Sequence, residues 1–314
     1  MLSMKVLFLF LSLAAISNAT CGRPYPEKNA GYHKIYKRVI GGNEVHVGKW
    51  PWQVMLVINT AVLNKTTMEV EQDANMCGGT VISDRFILTA AHCTPPQSVI
   101  QVYSGIIHGN RYEADITEKK LISAVEMTIP HPEYNDITDD NDIAILRLEE
   151  PLVFDHNVSP ICLPNKDQSI PDDGQAVVVG FGGSNDREDA GNWDLKDDER
   201  LRESAVTLIR PEICEQRNVD DSIDNVTQIC AGSSGHGTAP GDSGGPLMMK
   251  EERGRWFQIG ITSFGENGEE VLLQDDSPGV YTNVKAYCDW IEETTQGGAT
   301  CVGTTVNLKD IPIA

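Results

Sequence analysis

The chain has 314 residues, which is enough for two compact cores, and its 40% hydrophobic and 23% charged residues are typical of a folded globular protein. It carries 46 acidic and 25 basic side chains, a formal net charge of −21, which argues against nucleic acid and anionic membranes as partners. Residues 20–38 are the exception, because they hold five basic residues and one acidic residue. A short basic segment therefore precedes a strongly acidic body.

Residues 1–19 have the pattern of a secretory signal peptide. Lys5 supplies a positive charge, residues 6–16 form an apolar run, and residues 17–19 are small enough for signal peptidase. An eleven-residue run is too short to span a bilayer of about 30 Å. No later window approaches 18 apolar residues. We therefore predict a secreted, extracellular protein without a membrane anchor.

Export changes the interpretation of the eight cysteines, because an even number in a secreted chain indicates disulfides. From the count alone, 105 pairings are open. Zinc is the competing interpretation, but neither C-x-x-C nor H-x-x-x-H spacing occurs, so we expect no metal and no cofactor. Three sequons predict glycosylation, at Asn64, Asn157 and Asn225, although Pro160 after the second weakens it.

Short apolar and β-branched runs alternate with turn residues along the chain, which predicts a mostly antiparallel β protein, either a sandwich or a barrel. The predicted strands are Gln53–Asn59, Gly79–Ser83, Phe86–Thr89, Val99–Tyr103, Ile143–Leu148, Gln175–Gly180, Ser204–Ile209, Phe257–Phe264 and Val280–Val284. Near the end, Val284, Tyr287 and Ile291 share one face of a predicted helix. We expect surface loops at 62–74, 183–202 and 266–276, and no clear structure in the tail after Cys301.

The strongest local motif is Gly-Asp-Ser-Gly-Gly-Pro at residues 241–246. Its inner part fits the Gly-x-Ser-x-Gly elbow of α/β-hydrolases, in which the catalytic histidine follows the serine. All seven histidines of this chain precede Ser243, so that interpretation fails. The opposite order is present: His92 lies in Thr-Ala-Ala-His-Cys, and Asp142 lies in Asn-Asp-Ile-Ala.

At this point the chain resembles the chymotrypsin/trypsin family of serine proteases over roughly residues 39–295. Four motifs occur in the family's order: residues 38–42, the His92 segment, the Asp142 segment and the Ser243 segment. The resemblance implies two packed antiparallel six-stranded β-barrels with a C-terminal helix. The first barrel would run from Val39 to about Glu150 and the second from about Ile161 to Val284. The active site would then lie in the cleft between them.

The resemblance assigns a role to each motif residue. Ser243 would be the nucleophile, His92 its general base, and Asp142 the group that orients and stabilises the imidazole. The N–H groups of Gly241 and Ser243 would form the oxyanion hole. Taken singly, His92 would more often be a core imidazole, Asp142 a strand-end acid and Ser243 a turn residue. The combination of the three in this order carries the assignment.

The resemblance also implies activation by proteolysis. Cleavage after Arg38 would free the Val39 ammonium, which would compensate the buried carboxylate of Asp242. Residues 20–38 would be a propeptide and residues 39–314 a serine peptidase domain. The activator would be a trypsin-like protease, and protein inhibitors would be further partners.

The disulfide pairs implied by the resemblance are Cys77–Cys93, Cys214–Cys230 and Cys21–Cys162, the last tethering the propeptide. Cys288 and Cys301 remain, and they would clip the tail to the terminal helix in a bond that the family does not generally have. The chain also departs from the family at Ala239, where a cysteine is usual, and the partner cysteine of that bond is absent too.

The specificity pocket is inferred from Gly237, Thr238, Gly265 and Gly279. Trypsins have an aspartate at the position of Gly237, so we predict a deep apolar pocket with chymotrypsin-like preference. In the alternative, loop acids (Glu266, Glu269, Glu270, Asp275 and Asp276) read Lys or Arg from the pocket mouth. Acidic runs are more often solvated surface.

Two function classes follow. The chain is a secreted endopeptidase acting on protein or peptide substrates, or a non-catalytic homologue that uses the same fold for binding. Binding-only relatives typically lose His, Asp or Ser, and all three are present here. An esterase would be a side activity of the same serine.

Overall fold

The computed structural model describes residues 21–24, 40, 42–63, 70–108, 121–183, 200–217, 223–266 and 272–302. The predicted signal peptide, most of the predicted propeptide and the tail after residue 302 lie outside these ranges. Within them, no helix is long and apolar enough to cross a membrane.

Six antiparallel strands close into a first barrel. They are β2 (Gln53–Leu63), β3 (Val70–Val81), β4 (Phe86–Thr89), β5 (Val99–Ser104), β6 (Leu121–Pro130) and β7 (Ala144–Leu148), which follow β1 (Asn43–Glu44) in the chain. The order around the barrel is β2-β3-β4-β7-β6-β5, and β5 pairs with β2 to close it. Fully buried aliphatic side chains from β2, β4 and β7 fill the interior.

A second barrel forms from the remaining strands. They are β8 (Gln175–Gly180), β9 (Arg202–Ile209), β10 (Gln228–Gly232), β11 (Pro246–Lys250), β12 (Trp256–Phe264) and β13 (Gly279–Asn283). Their order is β8-β9-β10-β13-β12-β11, closed by pairing of β11 with β8. Side chains of β9 alternate between buried and half-buried, as expected for a strand with one face in the core. The expected fold of two six-stranded barrels is confirmed.

One strand does not belong to the barrel that its position in the sequence predicted. β1 lies in the segment that we expected to belong to the first barrel, but it pairs with β9 of the second, Asn43 opposite Glu203 and Glu44 opposite Arg202. β1 is therefore an outer strand of the second barrel.

The C-terminal helix is present as a 3-10 turn (Val284–Tyr287) followed by α2 (Cys288–Thr294). Val284, Tyr287 and Ile291 are all buried, so the predicted apolar face is confirmed. Tyr287 Oη donates to Asn141 Oδ1 at 3.0 Å, which joins the helix to the loop before β7.

Several elements were not anticipated. β6, β10, β11 and the helix α1 (Pro211–Arg217) were missed. Within the expected loop at 62–74, residues 62–63 and 70–74 instead belong to β2 and β3, with Val62 opposite Glu71, and residues 64–69 lie outside the described ranges. β6 was missed because its described side chains are mostly exposed, so the strand has no clear apolar alternation.

Candidate active site

His92 and Asp142 lie at the same end of the first barrel because they follow and precede paired strands. β4 ends at Thr89 opposite Ala144, the first residue of β7. Asp142 Oδ2 is 2.8 Å from His92 Nδ1, and its other oxygen accepts a hydrogen bond from the His92 backbone N–H at 2.9 Å. Asp142 is fully buried, and His92 is partly exposed. The carboxylate therefore fixes both the backbone and the ring of His92. Nε2 is the ring nitrogen that Asp142 does not contact.

The pKa of His92 is raised above its ordinary value of 6.5. Burial alone would lower the pKa, but the hydrogen bond to Asp142, the charge of Asp142 and the charge of Asp139 outweigh it. The environment thus stabilises the imidazolium, as a base that must take up a proton requires.

Two side chains of the second barrel hold Asp142, and the sequence analysis missed both. Ser263 Oγ in β12 donates to Asp142 Oδ2 at 2.6 Å, and Thr282 Oγ1 in β13 donates to the Asp142 carbonyl at 2.7 Å. Both hydroxyls are buried. A hydroxyl in such a place needs a partner, and that was the available signal.

Ser243 lies in the turn before β11, pressed against the first barrel. The Gly78 N–H of β3 donates to the Ser243 carbonyl at 2.7 Å. A Cβ at Gly244 would lie 2.2 Å from Thr89 Oγ1 and 3.2 Å from Ala90 N, so only glycine allows this approach. The serine turn therefore sits against the chain two to three residues before His92. In this uncleaved chain no hydrogen bond joins the described side chains of Ser243 and His92, and such bonds often tighten only with substrate.

The backbone of the serine turn leaves two donors available. Gly241 has φ of +96°, a conformation that favours glycine. The N–H groups of Asp242, Gly244 and Gly245 are all hydrogen-bonded to carbonyls. By contrast, neither Gly241 N–H nor Ser243 N–H has an acceptor within the described part of the chain.

Asp242 is a fully buried acid directly before the serine. Its carboxylate accepts hydrogen bonds from Gly182 N–H at 2.8 Å and Ala239 N–H at 2.9 Å. A Cβ at Gly180 or Gly182 would lie within 2.7 Å of this carboxyl group, so the two glycines shape its cradle. Burial raises the pKa of Asp242 to about 6, although the two N–H groups and the charge of Arg202 act in the opposite direction.

The predicted activation residues Arg38 and Val39 lie outside the described residues. Ile40, the next described residue, is buried and pairs with Gly237 in an antiparallel bridge. Its carbonyl accepts a hydrogen bond from Ser204 Oγ at 3.2 Å, and its side chain packs with Ala239 and Leu272. The chain therefore enters the second barrel close to the serine turn.

A cavity of about 240 Å³ opens beside Ser243. Three of the predicted pocket residues line it, namely Thr238, Gly265 and Gly279. Gly237 does not line it, because the side chain of Gln274 lies there: a Cβ at Gly237 would be only 1.6 Å from Gln274 Oε1. We had expected residue 274 in a surface loop and the pocket to be deep and apolar. Gln274 and Leu272 are instead buried, and the Gln274 amide lies against Gly237, the residue that we expected at the base of an open apolar pocket.

The described members of the loop acids proposed to read basic substrates are not gathered at the cavity. Of those described, Glu266 is exposed and lines the cavity, whereas Asp275 lines a different cavity beside α1. Glu269 and Glu270 lie outside the described residues.

Four disulfides are present, and they are the four pairs named above: Cys21–Cys162, Cys77–Cys93, Cys214–Cys230 and Cys288–Cys301. Cys77, His92 and Cys93 form the one cluster of metal-ligating residue types within the described part of the chain. Both sulfurs of that cluster are in the disulfide, so they are not available as thiolates.

Residues of the predicted propeptide are attached to the second barrel. Gly22 N–H donates to the Pro160 carbonyl at 2.9 Å, and Trp256 N–H donates to the Gly22 carbonyl at 2.8 Å. Gly22 has φ of +67°, and a Cβ there would lie 2.3 Å from the Trp256 carbonyl oxygen. Together with the Cys21–Cys162 bond, these contacts hold residues 21–22 against a part of the chain that is distant in sequence from Arg38.

The predicted glycosylation sites differ in exposure. Asn225 is exposed, and Asn157 is half-buried with an Oδ1 that has no hydrogen-bond partner among the described residues. Asn64 lies outside the described residues. All three stay predictions.

The two six-stranded barrels have the chymotrypsin-like fold, and they hold the buried Asp142, its partly exposed partner His92 and the Gly-Asp-Ser-Gly-Gly turn between them. The family profile described as Trypsin matches residues 39–291, and the chain belongs to this family. It is similar to bovine coagulation factor XI, with 34% identity over 269 residues that cover 84% of this chain and 39% of the relative. The chain thus spans about two fifths of the length of that relative.

Proposed function

We propose that the chain is a secreted serine endopeptidase, made as a precursor that cleavage after Arg38 activates. The observation that carries the proposal is the Asp142 carboxylate bound to both the backbone and the ring of His92, with the turn of Ser243 packed against the chain just before His92. A serine hydroxyl is a weak nucleophile, and it needs a base that is oriented in this way.

The proposed reaction uses the groups in order. His92 Nε2 takes the proton of Ser243 Oγ as that oxygen attacks the scissile carbonyl carbon. The tetrahedral oxyanion accepts hydrogen bonds from the N–H groups of Gly241 and Ser243, which have no acceptor in the described structure. His92 then gives its proton to the leaving amine, and an acyl group remains on Ser243. Water, activated by the same imidazole, releases the acid and restores the hydroxyl.

The zymogen step rests on Asp242. In the uncleaved chain, two backbone N–H groups and the nearby charge of Arg202 only partly offset the burial of this carboxylate. A new ammonium at Val39 would compensate it, and the carboxylate is one residue from each proposed oxyanion donor. Cleavage would therefore stabilise the turn that carries Gly241 and Ser243. The Cys21–Cys162 bond would keep residues 20–38 attached afterwards.

For the residue before the scissile bond, we propose a neutral side chain (Phe, Tyr, Leu or Met) in preference to Arg or Lys. No acidic side chain lies at the base of the cavity among the described lining residues, and a desolvated cation there lacks a counter-charge. The enzyme would then cleave its own Lys37-Arg38 site poorly and would need a separate trypsin-like activator.

The test of the proposed function is Ser243→Ala, with Ser169→Ala as the control at an exposed serine outside the cleft. Both proteins are treated with trypsin and assayed on a peptide library. We expect secretion of both variants, full activity of the control, and loss of about 10³-fold or more for Ser243→Ala. Activity of Ser243→Ala within tenfold of the parent would mean that another nucleophile is at work.

A further inference from the structure

Gln274 is the residue that stands out in the cavity next to Ser243. It is 4% exposed, although it comes from a loop that is acidic in sequence. Its Nε2 donates to the Thr238 carbonyl at 2.6 Å, which fixes the orientation of the amide. Its Oε1 is buried against Gly237 and has no hydrogen-bond partner among the described residues.

The space for this amide depends on Gly237. Any side chain at that position would overlap Gln274, because an added Cβ would lie 1.6 Å from Oε1 and 2.1 Å from Cδ. Because residue 237 is a glycine and not the aspartate of trypsins, this position contributes no fixed charge. The same glycine leaves room for the neutral amide of Gln274. Further up, the Gly265 and Gly279 backbones flank the opening without side chains, a Cβ at Gly265 lying 3.5 Å from Gly279 Cα.

We propose that Gln274 forms the floor of the specificity pocket and selects a large neutral side chain that ends in a hydrogen-bond donor. This inference rests on the proposed function, and it names the substrate class of that site. An apolar ring that reaches the floor leaves Oε1 buried and unpaired, whereas a terminal hydroxyl donates to it. A cation finds an acceptor there but no counter-charge. Tyrosine carries such a donor at the far end of its ring, and phenylalanine does not.

Other polar groups near the floor are already engaged. Thr238 Oγ1 lies 3.3 Å from Tyr281 Oη, and Ser263 Oγ is bound to Asp142. Glu266 lies at the exposed mouth and not at the base. Among the buried side-chain atoms of the described cavity lining, Gln274 Oε1 is thus an acceptor without a hydrogen-bond partner.

The experiment compares kcat/KM for matched peptides that differ only in Tyr, Phe or Arg before the scissile bond. It uses the trypsin-activated full chain and the variants Gln274→Met and Gln274→Glu, with Gln168→Met as a control at a buried glutamine outside the cavity. One neutral hydrogen bond to a buried group corresponds to about tenfold in rate. We therefore expect the parent and the control to prefer Tyr to Phe by about tenfold.

The two variants should change the substrate preference in different ways. Gln274→Met should bring the Tyr-to-Phe ratio near one, mainly through slower cleavage at Tyr. Gln274→Glu should raise the Arg-to-Phe ratio by tenfold or more, because it places a carboxylate at the floor. A Tyr-to-Phe ratio near one in the parent protein would by itself overturn the proposal. Tyr-to-Phe and Arg-to-Phe ratios that stay unchanged in both variants would overturn it as well.

A fluorophosphonate titration of each protein separates this inference from the proposed function. Parent protein that neither reacts with the reagent nor cleaves any peptide contradicts the peptidase assignment itself. Parent protein that reacts and cleaves, but with preferences that ignore residue 274, overturns only the role of Gln274.

Discussion

Ser263 Oγ donates a 2.6 Å hydrogen bond to the same oxygen of Asp142 that contacts the His92 ring. Asp142 belongs to the first barrel and Ser263 to the second, so this bond joins the barrels at the candidate active site. Thr282 adds a second bond across the same junction, to the Asp142 carbonyl. The orientation of His92 therefore depends on how the two barrels are packed together.

Ser263→Ala should lower kcat by about tenfold while leaving the fold intact, because Asp142 loses one of the contacts that orient its carboxylate. Ser263 acts here as a positioning residue. The control is Ser104→Ala, at a buried serine whose hydroxyl has no partner among the described residues. The assay is kcat and KM of the activated enzyme beside thermal unfolding. A drop in stability with unchanged kcat would make Ser263 purely structural.

Asp142→Asn should lower the pKa of His92 and reduce kcat by about four orders of magnitude. In the parent, the raised pKa means that half of the imidazole becomes neutral, and able to act as a base, only above pH 6.5. Activity should therefore rise with pH through a midpoint above 6.5, and NMR titration of the imidazole should give the same midpoint. Asp139→Asn is the matched control, because the Asp139 charge is a lesser cause of the shift. It should move the midpoint down slightly and leave the maximum rate unchanged. Equal effects from both substitutions would contradict the assigned pair.

Arg38→Gln should block activation by trypsin. The uncleaved chain lacks the Val39 ammonium, so Asp242 stays uncompensated and the Gly241 turn is not stabilised. In the parent, reducing and non-reducing gels after trypsin treatment should differ, because the Cys21–Cys162 bond retains the short N-terminal fragment. An uncleaved precursor that hydrolyses peptides as fast as the processed enzyme would refute the switch.

Asp242→Asn in the Arg38→Gln background should gain stability relative to its parent as the pH rises. The folded-state pKa of about 6 lies above the ordinary value of 3.8, so the parent's stabilisation by protonated Asp242 is full at low pH and is lost as pH rises through 6. The asparagine does not titrate. The difference in unfolding free energy between the two proteins should shift by up to about 3 kcal/mol from pH 4 to pH 7.5. Urea unfolding measures it, with exposed Asp84→Asn as the control. A pH-independent difference would show that Asp242 is not held in this way.

Individual strands could be predicted from the sequence where they have clear β-branched runs, whereas the arrangement in two barrels followed from the family resemblance. Phe86–Thr89 and Gln175–Gly180 match β4 and β8 residue for residue. β6 and β11 could not be recognised in the same way. β6 is largely exposed, and β11 begins at Pro246 and is buried on both faces, so neither alternates.

The residues of the candidate site could likewise be recognised only where a local sequence motif marks them. His92, Asp142 and Ser243 stand in motifs that are local in sequence. Ser263 and Gln274 have no such motif, because their importance comes from what lies opposite them in the fold. Gln274 in particular is surrounded by acidic residues in sequence, which suggested a solvated loop until the space left by Gly237 became visible.

The most direct test of the central claim is to locate the covalent adduct of a fluorophosphonate on the trypsin-cleaved protein by peptide mass spectrometry. Phosphonylation requires a serine whose hydroxyl is activated by a base, so we expect one adduct, on Ser243. We also expect no adduct in His92→Ala and slow labelling of uncleaved Arg38→Gln. An adduct on any other residue, or no adduct on cleaved protein, would contradict the assignment of His92, Asp142 and Ser243.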